Sequence, residues 1–77
     1  MPIAVDCLFT EDGVVQVRRI RRDERWIAVE QGRQWLDELG RHVLVMIDGR
    51  QVHEIVLDPG SLRWKITGDH DSATAVA

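Results

Sequence analysis

The side chains best suited to chemistry in this chain are one cysteine, Cys7, and three histidines, His42, His53 and His70. Zinc sites draw on close pairs such as Cys-x2-Cys or His-x3-His. No two of these four residues are so spaced, so neither a metal site nor a cofactor is expected. A cysteine nucleophile needs a base and an orienting group. Cys7 falls on the apolar side of an alternating segment, where burial raises a thiol pKa and leaves it inert. The densest charge feature is Arg18-Arg19-Ile20-Arg21-Arg22, with Arg25 after it. Residues 18–25 hold five arginines against Asp23 and Glu24, a local net charge of +3. Such a hairpin suits an anion or a nucleic acid, with Trp26 as a stacking platform. The same charges equally solvate an edge hairpin and block its pairing. Trp26, Trp35 and Trp64 suit either an aromatic recognition surface or a core. A split is expected, with Trp64 inside and Trp26 or Trp35 at an interface.

The totals bound what these residues can belong to. Seventy-seven residues make one domain near the lower size limit for folding without staples. A lone cysteine excludes an internal disulfide and fits a reduced, cytoplasmic setting. No apolar run approaches the roughly 18 residues of a membrane span, and MPIAVD lacks the pattern of a signal peptide. The formal net charge of -3 opposes sequence-blind nucleic-acid binding, which rests on phosphate neutralisation.

The elements that must position these residues read as strands. Ile3, Val5, Cys7 and Phe9 alternate with Ala4, Asp6 and Leu8, the period of a strand. Glu11-Asp12-Gly13 is a hairpin turn. Val14 to Arg21 follows, with Val15 and Val17 on one face and Val14, Gln16, Arg18 and Ile20 on the other. After the turn Arg22-Asp23-Glu24, Arg25 to Glu30 resumes the alternation. Gln31 to Gly40 breaks it: Trp35, Leu36 and Leu39 have helical spacing and Gly40 sits at a C-cap position. A loop with at most one helical turn around 33–39 is expected there. Val43, Val45 and Ile47 oppose Leu44 and Met46, a strand apolar on both faces. Asp48-Gly49 turns the chain into Val52–Asp58, and Asp58-Pro59-Gly60-Ser61 turns it again, with Gly60 accepting positive φ. Leu62, Trp64 and Ile66 alternate with Arg63, Lys65 and Thr67. Residues 69–77 read as a flexible tail beyond a domain of residues 1–68. The pattern predicts an all-β fold, an antiparallel meander closing into a partly open, SH3-like barrel of five to six strands.

Two resemblances attach to particular residues. The opening MPIAV is similar to small tautomerases that use an amino-terminal proline as base, which implies Pro2 as catalyst and a long helix after the first strand. The residues from Asp12-Gly13 onward alternate as strands instead. The second rests on Asp12-Gly13, Trp26, Trp35 with Asp37, Val43-x-Val45, Asp48-Gly49, His53–Leu57 and Leu62–Ile66. This pattern resembles a small bacterial β-domain family of unknown function, some of whose members occur beside homologues of error-prone DNA polymerase accessory proteins. That resemblance implies a small barrel and no catalytic residue.

The chain is therefore expected to be a non-enzymatic interaction module that self-associates. Leu44 and Met46 on the second face of their strand would form a homodimer interface. Arg18, Arg19, Arg21, Arg22 and Arg25, with Trp26 and Trp35, form the alternative binding surface for a nucleic acid or protein.

Overall fold

The computed structural model describes Pro2–His70, with side chains through Thr67. The described residues are all-β: β1 (Pro2–Phe9), β2 (Val15–Arg22), β3 (Arg25–Ala28), β4 (Glu30–Asp37), β5 (Gly40–Ile47), β6 (Gln51–Leu57) and β7 (Trp64–His70). These seven antiparallel strands form one curled, barrel-like sheet in the order β3-β2-β1-β7-β6-β5-β4. Only Val29 separates β3 from β4. The two segments amount to one bent strand, pairing with β2 before the bend and with β5 after it.

Val15, Val17, Ile20, Val43, Val45, Ile47, Ile55 and Trp64 form the buried core. The expected alternation of β5 holds: its odd positions from Val43 to Ile47 point inward, and Leu44 and Met46 lie half-buried on the outer face. His53 faces the core beside them, 1% exposed.

Two β-bulges account for most departures from the expected pattern. In β2, Asp6 pairs with Arg19 but Cys7 with Val17, so Arg18 is an extra residue. The bulge moves Ile20 to the core face shared by Val15 and Val17, instead of the opposite one. In β4, Gln31 pairs with Val45 and Gln34 with Val43, leaving Gly32 and Arg33 opposite Leu44 alone. Gln31 to Gly40 is thus a bulged strand and a turn, not a loop with a helical turn around 33–39. The extra residue offsets the side chains by one place, and that offset mimics helical spacing in the sequence.

The β4 bulge also closes the barrel. Where the bent strand leaves β2 to join β5, Val15 and Val17 have no strand partner on the edge away from β1, and two carboxamides replace one. Val17 N donates to Gln31 Oε1 at 2.6 Å, and Val15 N donates to Gln34 Oε1 at 3.1 Å. The Nε2 groups of Gln31 and Gln34 both donate to Val15 O, at 2.9 and 2.8 Å. A carboxamide offers both a donor and an acceptor, as a peptide group does, so it can continue a ladder that the backbone has left.

At the other end of the chain β7 continues through His70, two residues beyond the expected domain end at 68. The remainder of the expected tail lies outside the described residues.

Candidate binding groove

Three turns meet at one end of the barrel, and each is built by local chemistry. Between β1 and β2, Gly13 N donates to Thr10 O at 2.9 Å, and Gly13 takes a left-handed φ of 80°. Between β4 and β5, Asp37 Oδ1 accepts from Leu39 N at 2.8 Å. The next residue, Gly40, has φ 132°, and a β-carbon there would overlap the carbonyl oxygen of Leu57. Only glycine lets β5 begin this close to β6. Between β6 and β7, Asp58 Oδ1 accepts from Gly60 N at 2.8 Å and from Ser61 N at 3.4 Å. These amides hold the Asp58 carboxyl below its ordinary value. The turn closes with Leu62 N donating to Asp58 O at 2.8 Å, and Leu62 itself has φ 58°.

Positive φ thus falls on Leu62, not on Gly60 as the turn residues suggest, and β7 starts two residues later than Leu62. A left-handed leucine is strained by roughly 1–2 kcal/mol. It is also 72% exposed.

The three turns enclose an apolar groove of about 440 Å3, lined chiefly by Phe9, Leu36, Leu57, Pro59 and Leu62, with Asp37 and Arg41 at its polar edge. Phe9 is 49% and Leu36 68% exposed. All three large side chains occupy positions that alternation or helical spacing assigns to a core. Here they stand in solvent around one cleft. No sequence signal links them, because they come from segments far apart in the chain.

A second cluster lies on the outer face of β4, β5 and β6. His42 is 5% exposed, and its ring stacks on Trp35 with centroids 5.0 Å apart and planes 5° from parallel. Nδ1 lies 2.7 Å from Glu54 Oε2 and Nε2 lies 2.7 Å from Asp37 Oδ1. An imidazolium has a donor on each ring nitrogen, so the protonated ring satisfies both carboxyl groups at once. Burial pulls its pKa down, but the Glu54 and Asp37 hydrogen bonds and charges outweigh that and hold it above 6.5. The His42 hydrogen bond in turn lowers the Asp37 carboxyl below 3.8. An imidazolium bonded on both sides has no lone pair for a substrate proton or a metal. Arg33 completes the cluster, its guanidinium 4.9 Å from the Trp35 ring centroid.

The other sequence-predicted residues are dispersed. Arg21 pairs opposite Trp26 and Arg22 opposite Arg25. Since successive residues alternate sides, the arginine run is divided between the two faces of its hairpin. Arg19 is engaged by Asp6 at 2.9 Å and lies 5.1 Å over Trp26, which is 45% exposed. Arg18 sits in the bulge and Trp35 in the His42 cluster across the barrel, so the seven residues do not form one surface. Leu44 and Met46, with Val52 and Gly32, border a smaller cleft of about 200 Å3. Cys7 is half-buried, and burial, then the neighbouring Asp6 charge, raise its thiol above 9.0. The side chain of His70 lies outside the described residues. Among the described residues, no group of three Cys, His, Asp or Glu side chains is placed to hold a metal ion.

Pro2 is a strand residue opposite Lys65, and strands cover Val15–Ala28 apart from the Asp23-Glu24 turn, where the tautomerase resemblance implies a helix. Compared with protein-family models, curated proteins and solved structures, the chain matches none.

Proposed function

We propose that this chain is a non-catalytic protein-interaction module that holds an apolar segment of its partner in the groove at the barrel end. The observation that carries this reading is Leu62. Its exposed side chain and its left-handed backbone are both unfavourable for folding, and a glycine or asparagine would remove both penalties. A leucine held at that position completes an apolar wall with Phe9 and Leu36, which is the composition of a recognition surface. The non-catalytic part is supported by the state of the reactive groups: His42 has both nitrogens occupied, and Cys7 is driven toward the neutral thiol. The Arg18–Arg25 alternative draws less support, since its charges are split between two faces and Arg19 is already paired.

Panning a random-peptide phage library against the immobilised protein tests the reading. Peptides with two or more large apolar side chains are expected to be enriched. Their binding should be lost in Leu62→Asn and Leu36→Ser, while Leu62→Asn leaves the fold equally or more resistant to urea. Absence of enrichment, or binding indifferent to both substitutions, would overturn it.

A further inference from the structure

β1 is paired unequally on its two edges. β2 follows it from Ala4 to Phe9, whereas β7 meets it only at Pro2 and Ile3, because the Asp58–Arg63 turn ends β7 at Trp64. Beyond Ile3, no strand among the described residues pairs with the second edge of β1. Six residues, Ala4–Phe9, therefore present about 20 Å of open strand edge. Proteins guard such edges with lysines, prolines or unpaired charges. The only charge here is Asp6, and Arg19 neutralises it. Of the two end strands of the sheet, β3 is four residues long and begins at an arginine, and β4 turns Gln31 and Gln34 onto the backbone of β2.

The open edge borders the groove. An added strand would continue the line of β7, running between Leu62 on one side and Phe9 on the other. The hairpin that carries this edge also carries Leu8, Phe9 and Val14, exposed by 50%, 49% and 43%. Free edge, groove and uncovered apolar tip thus belong to one region of one chain, the arrangement that a two-fold axis satisfies in a single contact.

We propose that a second copy of this chain adds its Ala4–Phe9 edge antiparallel to this one, joining the two barrels through a continuous sheet. The pairing brings the partner's Phe9 to the Leu62 side of the groove and covers both hairpin tips. Each Asp6 enters with its own Arg19, so no unpaired like charges meet at the axis. This identifies the partner of the groove proposed above, and rests on that reading for the covering of the groove but not for the strand pairing.

Sedimentation over a concentration series, with hydrogen exchange at each concentration, tests it in the full chain. A reversible dimer is expected, with amides of residues 4–9 gaining protection as it forms. Leu8→Lys, a surface change that guards the edge, should weaken the dimer at least about tenfold in Kd without changing the circular dichroism or the urea midpoint. A monomer at high micromolar concentration would overturn the proposal, as would a dimer protected at Leu44–Met46 instead of 4–9. A monomer that still selects apolar peptides leaves the groove reading standing. A dimer protected at 4–9 but unaffected by Phe9→Ser and Leu62→Asn supports the strand pairing and removes the groove reading.

Discussion

Replacing Gln31 by leucine tests whether side chains close this barrel. The substitution keeps the bulk of the residue and removes both ends of its carboxamide. Val17, 6% exposed, then has an amide without its 2.6 Å acceptor, and Val15 O loses one of two donors. An orphaned buried donor costs about 1–3 kcal/mol, and the shared acceptor adds about 0.5–1 kcal/mol, for a total of about 1.5–4 kcal/mol. Against the roughly 4–12 kcal/mol expected for a domain of this length, that is a large fraction. Gln34→Leu should cost a similar amount, since Val15 N and Arg41 both bond its Oε1. Because Gln31 and Gln34 share Val15 O, the double substitution should exceed the sum of the singles by about 0.5–1.5 kcal/mol. Urea unfolding with a common m-value measures all three. A cost below about 0.5 kcal/mol for Gln31→Leu, or strict additivity, would refute a barrel closed by these carboxamides.

Other consequences follow from the turns and from His42. The raised pKa of His42 means that its stabilisation is complete below 6.5 and is lost as pH rises through the folded-state value. The lowered Asp37 contributes above 3.8 and fades as pH falls below it, so the cluster stabilises most between those two values. The urea midpoint should therefore fall as pH rises above 6.5 in the native protein, and His42→Gln should flatten that fall. An unchanged slope in the variant would contradict the assignment. At the β2–β3 turn, Asp23 and Glu24 have φ 52° and 64°, the backbone that Asn-Gly ordinarily supplies. Glu24→Gly should accordingly raise stability by about 0.4–1 kcal/mol in urea, and a loss would show that the turn has another conformation. Gly40→Ala should cost at least about 3 kcal/mol or prevent folding, because the added methyl overlaps the Leu57 carbonyl. A soluble protein with native stability would contradict the close approach of β5 to β6.

Legibility in the sequence followed the regularity of the strands. Val43 to Ile47 keeps a strict period of two, and Asp48-Gly49 supplies its own left-handed turn, so β5 and β6 could be read from residue types alone. Ile20 could not, because an extra residue in a strand, Arg18, has no compositional mark and moves all that follows to the other face. The same cause hid β4, where Gln31 and Gln34 look like polar surface residues until the bulge aims both at Val15. Leu62 was misplaced because its left-handed φ is imposed by the closure of the Asp58–Arg63 turn. The groove was invisible for a different reason. Its walls come from Phe9, Leu36 and Leu62, which only the sheet order brings together, whereas periodicity reports on neighbours in the chain.

The central claim, that the barrel end is a recognition surface and not merely an uncovered end, is most directly tested by Leu62→Asn. Asparagine tolerates the left-handed backbone and removes the exposed leucine. Measured on one sample set, the variant should match or exceed the parent in urea midpoint and bind the selected apolar peptides at least about tenfold more weakly. Binding that survives the substitution, or a fold that collapses with it, would contradict the account.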